Sequence, residues 1–242
     1  MNIADLISRG IPVATNGGAN SIAVAEHTIL LILAVLRQIF LLHRNLIEGK
    51  WQSSPPDALE LHELHRKQVG IIGMGKIGKQ VAQRLIGFES TTVYTDIRPL
   101  SASREEVLMV RRLSLTKLLE TSDIITLHVP LTPQTKEMIS FKEIDMMKTG
   151  TVLINTSRGG VVNQRALFSA LQNGKLAGAG LDVFPNEPTN PTDTPRLPNM
   201  VYSPHRAGSS LESWNKRLMR AYENIHRVID GYPPRWTIAN LY

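Results

Sequence analysis

The stretch Val69-Gly70-Ile71-Ile72-Gly73-Met74-Gly75-Lys76-Ile77-Gly78 decides how this chain folds. Its first half continues a short β-rich run, Gln68-Ile72, and its second half carries three glycines at the spacing G-x-G-x-x-G before a helical pattern begins. In such a strand–turn–helix unit Gly73 permits the tight turn, Gly75 lets backbone approach a pyrophosphate, and Gly78 allows close helix–strand packing. The helix N-terminus then offers free N–H groups and a positive dipole end to phosphate. The next strand, Thr91-Thr95, ends at Asp96, about 20 residues beyond the glycines. A carboxylate there accepts hydrogen bonds from ribose hydroxyls and repels a 2′-phosphate, so the expected cofactor is NAD rather than NADP. Arg98 argues the other way, because a nearby arginine can receive that phosphate.

Working outward, the apolar runs Ile124-Val129, Thr151-Asn155, Ala177-Leu181 and Met200-Ser203 predict further strands. Helical patterns at Lys76 to about Phe88, Leu115-Glu120, Phe141-Met147 and Gln164-Asn173 separate most of them, and Gly174 is placed to stop the last. Strands alternating with helices predict an α/β fold: a Rossmann-type doubly wound parallel sheet covered on both faces. Upstream, Ala19-Glu48 reads as one long helix, capped by Asn20 or Ser21 and ended by Gly49. It is apolar on nearly all sides up to Arg37, which predicts burial on both flanks. A polar loop with Pro55-Pro56 follows it. A final helix from about Ser210 to Asp230 ends at Gly231-Tyr232-Pro233-Pro234.

Composition narrows the function classes. The 242 residues are 42% hydrophobic and 20% charged, enough for a sizeable core. The formal charge of +6 is scattered, its densest run being His65-Arg66-Lys67 with no interleaved aromatics, so no nucleic-acid partner is expected. The absence of cysteine excludes a disulfide framework, a thiolate zinc site and a catalytic thiol, and no metal site is expected. The longest unbroken apolar run, Ile29-Leu36, falls short of the ~20 residues needed to span a bilayer. No signal peptide is evident. These features predict a cytoplasmic protein without a membrane partner.

Ligands of an open parallel sheet bind beyond the carboxyl ends of its strands. His128 closes one strand, Thr156-Ser157-Arg158 follows another, Asp182 and Glu187 follow a third, and His205 follows a fourth. Each alone has an ordinary structural explanation. Their coincidence at one edge points to a site.

Six segments occur in order: Glu26-His27 after Asn16-Gly17-Gly18-Ala19-Asn20, the glycine fingerprint, His128-Val129-Pro130-Leu131-Thr132, Asn155-Thr156-Ser157-Arg158-Gly159-Gly160, Leu181-Asp182-Val183-Phe184-Pro185-Asn186-Glu187-Pro188, and Ser203-Pro204-His205-Arg206-Ala207-Gly208. Together they resemble the D-isomer-specific 2-hydroxyacid dehydrogenase family over nearly the whole chain. The resemblance implies hydride transfer between NAD(H) and a small 2-hydroxy or 2-keto acid. It implies Arg158 as the substrate-binding arginine, Glu187 as the acidic residue and His205 as the acid/base. A guanidinium fork can grip a carboxylate, an imidazole can exchange the hydroxyl proton, and a carboxylate can orient that imidazole. Glutamate at 187 favours hydroxy acids over formate, since formate dehydrogenases of the superfamily carry glutamine there. The implied cofactor contacts are Gly73, Gly75, Lys76, Ile77, Gly78 and Asp96, then His128, Val129, Pro130, Thr135, Thr156, Ser157, Arg158, Asp182, His205 and Gly208.

Three positions depart from the usual pattern: Pro185, Asn163 and Arg206, the last adding positive charge beside His205 and suggesting a doubly anionic substrate. The resemblance also implies a division into residues 1–13, a remnant of a flavodoxin-like substrate domain, 14–206, the NAD-binding domain, and 207–242, a C-terminal helix of the substrate domain. Met1-Asn2-Ile3 falls in the middle of a family motif, so an N-terminally truncated member that binds NAD but turns over poorly is expected. The family helix equivalent to residues 19–48 lies between subunits, which implies a homodimer. The same family includes NAD-sensing corepressors, so a regulatory module is the alternative function.

Overall fold

The computed structural model describes residues 3–51 and 60–238. Seven strands form one all-parallel sheet: β1 (Gln68–Ile72), β2 (Thr91–Thr95), β3 (Val110–Arg112), β4 (Ile124–Leu127), β5 (Thr151–Asn155), β6 (Leu176–Leu181) and β7 (Met200–Tyr202). Their order is β3-β2-β1-β4-β5-β6-β7. The helices are α1 (Ile3–Ser8), α2 (Ser21–Leu36), α3 (Ile39–Ile47), α4 (Lys76–Leu85), α5 (Ala102–Leu108), α6 (Leu115–Thr121), α7 (Phe141–Met146), α8 (Gln164–Gln172) and α9 (Leu211–Ile229).

The strands divide their side chains between two cores with the period of two that a pleated strand imposes. Val69, Ile71, Ile124, Val152 and Ile154 join Ile32 and Val35 of α2 and Val81, Ala82 and Leu85 of α4. Ile72, Val93, Ile125, Leu127 and Leu153 join Leu118 and Leu119 of α6, Ile144 of α7, and Leu167 and Leu171 of α8. Burial of each such aliphatic side chain contributes about 1.5–3 kcal/mol. The strand order reverses between β1 and β4, which opens a crevice at their carboxyl ends.

Register aligns those ends. Ile72 pairs with Thr95 and with Leu127, Leu127 with Asn155, Asn155 with Leu181, and Leu181 with Tyr202. One residue past this row stand Asp96, Gly73, His128, Thr156, Asp182 and Ser203. The sheet therefore delivers six chemically distinctive residues to one rim.

Several expectations need correction. Residues 19–48 are not one helix: α2 and α3 meet at a 62° bend. Gln38 takes φ 47°, in the left-handed region, which breaks the helical ladder there. Its own chain does not cover α2 on every side, Leu30 being 55% exposed. The helix from Lys76 becomes a 3₁₀ turn over Ile86–Phe88, and the strand expected to reach Val129 stops at Leu127. β3 and α5 were not anticipated. The Pro55-Pro56 loop and Met1-Asn2 lie outside the described residues. Among the described residues, no single helix is long and apolar enough to cross a membrane.

The chain forms two compact units, Val24–Ala207, which holds the whole sheet, and Met1–Ala23 with Gly208–Tyr242. In the second, Ala14 pairs antiparallel with Thr237, and the Arg220 guanidinium lies 4.8 Å over the Trp236 ring while donating to the Asn16 carbonyl. Ser210 caps α9 by accepting from the Ser213 N–H.

Candidate active site

The glycine turn is built as its spacing demands. Gly73 sits at φ 98°, and a Cβ there would lie 2.6 Å from the His128 carbonyl oxygen. Gly78 is packed against the Gly73 carbonyl inside α4, and a Cβ on Gly75 would enter open space. Gly75 stands at the N-cap of α4, so the positive end of the helix dipole and its first turn, Lys76, Ile77 and Gly78, face the position where a phosphate sits in such a turn. Asp96 secures this turn: Oδ2 accepts from the Met74 N–H at 2.6 Å and Oδ1 from the Arg98 N–H at 2.8 Å. A carboxylate oxygen has two lone pairs, so each retains capacity for a ribose hydroxyl. The open space at Gly75, the helix N-terminus beside it and the acid at the end of β2 fit a dinucleotide.

Across the crevice, the His128 main chain is tied to β1, its N–H donating to the Ile72 carbonyl. Its Nε2 pairs with Thr126 Oγ1 at 3.0 Å, and its enclosed Nδ1 has no hydrogen-bond partner. Burial pushes the imidazole down to about 3, so it is neutral near pH 7. The loop beyond, Val129-Pro130, is closed by Thr135, whose hydroxyl donates to the Pro130 carbonyl at 2.6 Å and accepts from the Thr132 N–H.

Arg158 sits on a loop organised by Asn155. The Asn155 Oδ1 accepts from both the N–H and the hydroxyl of Ser157, an Asx turn, while its Nδ2 donates to the Arg158 carbonyl. The Thr156 hydroxyl bonds that of Thr28 on α2 at 3.0 Å. Thr156 and Ser157, both expected at the cofactor, are buried, and their hydroxyls bond Thr28 and Asn155 within the fold. Arg158 is exposed, with Nη1 donating to the Ser157 carbonyl. Gly159 lets this loop approach the next, since a Cβ would run into the Phe184 backbone.

Glu187 closes that second loop. Its Oε1 accepts from the Phe184 N–H at 2.9 Å and its Oε2 lies 2.6 Å from His205 Nδ1. Partial burial alone would raise the Glu187 carboxyl. The His205 hydrogen bond, the Phe184 N–H and the charges of His205 and Arg158 outweigh it and hold the group below its ordinary value. His205 itself takes φ 53°. Left-handed backbone is unfavourable for a residue with a Cβ. Asp182 compensates: its carbonyl accepts from the His205 N–H, Oδ1 from the Arg206 N–H and Oδ2 from the Ala207 N–H. The Asp182 side chain is 1% exposed and braces the His205 loop.

Arg158, Glu187 and His205 thus come from the loops after β5, β6 and β7 and share one rim with Gly73, Asp96 and His128. Gly208 belongs to the other unit, where its carbonyl accepts from Ser213 and Arg217. Asn163, a departure from the usual pattern, caps α8 through Oδ1. Asn155 and His27 enter the sequence reading only within quoted segments, with no role at the site assigned to them, and Thr28 does not enter it. The Asn-x-Ser spacing at a strand end was the one available signal for the first.

The family model for "D-isomer specific 2-hydroxyacid dehydrogenase, NAD binding domain" matches residues 29–207. The chain is 39% identical to a glyoxylate reductase from Korarchaeum cryptofilum over 228 residues, 93% of this chain and 68% of that protein. It is 38% identical to a D-3-phosphoglycerate dehydrogenase from Archaeoglobus fulgidus over 94% of this chain, but spans only 42% of that protein. It superimposes on the structure of a D-lactate dehydrogenase from Aquifex aeolicus complexed with NAD and lactic acid. There the TM-score is 0.86 and identity 29%, covering 96% of this chain and 73% of that one. Fold, fingerprint and rim agree with these matches, and the chain belongs to the D-isomer-specific 2-hydroxyacid dehydrogenase family, carrying its NAD-binding domain.

Proposed function

We propose that the protein interconverts a small 2-keto acid and its 2-hydroxy acid, with NAD supplying or accepting the hydride when bound. The observation that carries this reading is the Glu187–His205 pair beside Arg158 at the rim that holds the glycine turn. With Nδ1–H held by Glu187, His205 presents Nε2 as the atom that gives a proton to the 2-keto oxygen or takes one from the 2-hydroxyl. Glu187 fixes that ring orientation and balances the positive charge when the imidazole is protonated. Arg158 grips the carboxylate through its planar fork and draws electron density from the neighbouring carbonyl. The first turn of α4 and Asp96 would hold the pyrophosphate and adenosine ribose of NAD.

The names of the relatives, reductases and dehydrogenases of small hydroxy acids, favour an enzyme over a corepressor-like module. Glyoxylate and hydroxypyruvate are the first substrates to test. NADH absorbance is followed on adding each. Substrate-dependent decay supports the enzyme, and binding of NADH without decay supports the regulatory module.

A homodimer through residues 19–48 is part of this proposal. Leu30, Ile39, Phe40, Leu46 and Ile47 are exposed along α2 and α3, more apolar surface than a solvated helix pair needs. Light scattering at micromolar concentration decides it, a monomeric mass counting against. We further assign residues 1–13 and 207–242 to a substrate domain. The clustering of Met1–Ala23 with Gly208–Tyr242 supports that assignment.

A further inference from the structure

Three consecutive residues of α2 each reach a different functional segment. Glu26 Oε1 pairs with Arg84 Nη2 of α4 at 2.8 Å, His27 Nε2 lies 2.8 Å from Ser203 Oγ, and Thr28 Oγ1 lies 3.0 Å from Thr156 Oγ1. The second contact fixes a proton. Ser203 Oγ is also 2.6 Å from Asp182 Oδ1. An ionised carboxylate only accepts, so the single hydroxyl proton of Ser203 goes to Asp182. Ser203 Oγ must then accept from His27, which places the ring proton of His27 on Nε2.

This chain ends where the proposed chemistry begins. Asp182 is the residue that gathers the N–H groups of His205, Arg206 and Ala207. Ser203 and the Arg206 N–H share its Oδ1, so the hydroxyl sets where that oxygen sits relative to the turn. His205 needs such support because its backbone is left-handed. His27, with its side chain 19% exposed, supplies from a well-packed helix the donor that orients the Ser203 hydroxyl.

We propose that His27 is a positioning residue for His205, acting through Ser203 and Asp182 to hold residues 205–207 so that the His205 imidazole meets Glu187. The proposal rests on reading His205 as the proton-exchanging group. It adds a remote histidine, one helix away, on which that group's placement depends.

The test compares His27→Phe, which keeps a ring but loses the donor, His27→Gln, whose amide can donate to Ser203, and Ser203→Ala, which removes only the bridge. Amide hydrogen exchange is measured on the 242-residue chain at residues 205–207, with Ile71 and Ile125 of the sheet as internal references. In His27→Phe and Ser203→Ala, exchange at Arg206 and Ala207 is expected to rise about tenfold with the sheet unchanged, the effect of losing one buried hydrogen bond locally. In His27→Gln it returns toward wild type. Turnover follows the same order, with NADH affinity unchanged in all three. Unchanged exchange at 206–207 in His27→Phe overturns the proposal. So does a rise spread equally through the sheet, or a failure of glutamine to restore protection. If His27→Phe does not fold, Ser203→Ala carries the comparison. If the wild-type protein turns over no 2-keto acid, the dehydrogenase reading fails while the exchange data still decide the role of His27.

Discussion

His205 Nδ1 lies 2.6 Å from Glu187 Oε2, although 18 residues and two loops separate them along the chain. This contact leaves Nε2 as the ring nitrogen able to exchange a proton with a ligand. Replacing Glu187 by glutamine keeps the shape and the Phe184 contact but removes the charge. We expect kcat for 2-keto acid reduction to fall about 10- to 100-fold, with NADH affinity unchanged. Equal loss of NADH binding would show that Glu187 acts on the fold instead.

The same carboxyl gives a pH dependence. Its folded pKa is held below the ordinary 4.5, with burial opposing and His205, Phe184 and Arg158 prevailing. A group depressed in the folded state contributes stability that is fully present above its unfolded pKa and is lost as pH falls through the folded one. Urea unfolding from pH 6 to pH 3 is expected to show a steeper acid loss for wild type than for Glu187→Gln. Parallel curves would contradict it.

His128 has the opposite origin and a higher window. Its imidazole is pushed from 6.5 down to about 3 by burial. Below pH 6.5 the unfolded chain binds a proton that the folded chain refuses, so stability declines as pH falls toward 3. Over that window the slope from this one group is about 1.4 kcal/mol per pH unit. His128→Gln removes the term, and unfolding midpoints at pH 7, 5.5 and 4.5 are expected to converge on those of wild type as pH drops. A constant gap would refute the burial of a neutral ring.

Arg158 tests substrate grip separately from proton transfer. Lysine keeps the charge and loses the planar fork, so Arg158→Lys is expected to lower kcat/KM about 100-fold, mostly through KM, with NADH affinity intact. An unchanged KM would place the substrate carboxylate elsewhere.

Asp96 tests the cofactor. Its oxygens hold the Met74 and Arg98 amides, and its charge disfavours a 2′-phosphate. Wild type is expected to bind NADH at least about tenfold tighter than NADPH, and Asp96→Ala to weaken NADH by a similar factor while narrowing the preference. Tighter NADPH binding by wild type would give Arg98 the deciding role.

The parallel sheet and its rim were legible because they rest on local signals. Val69–Gly78 carries strand, turn and helix in ten residues, and the rim residues stand at or shortly after the ends of strand-like runs. β3 was missed because two of its three residues, Arg111 and Arg112, are exposed arginines and only Val110 is buried. The bend at Gln38 was missed because the apolar pattern resumes at Ile39 and Phe40 directly after Arg37 and Gln38, and a left-handed glutamine leaves no mark in composition. The support role of Asp182 was hidden for a different reason. A carboxylate after a strand suggests a ligand contact, and only tertiary structure shows its oxygens facing the amides of residues 206 and 207.

The most direct measurement is NADH oxidation by the 242-residue chain with glyoxylate or hydroxypyruvate, run beside His205→Asn with NADH binding followed by fluorescence. We expect slow but substrate-dependent oxidation by wild type, a further loss of at least about 100-fold in the variant, and the same NADH affinity in both. A variant that retains the wild-type rate, or a wild type that binds NADH and leaves it unoxidised with every 2-keto acid, would contradict the account.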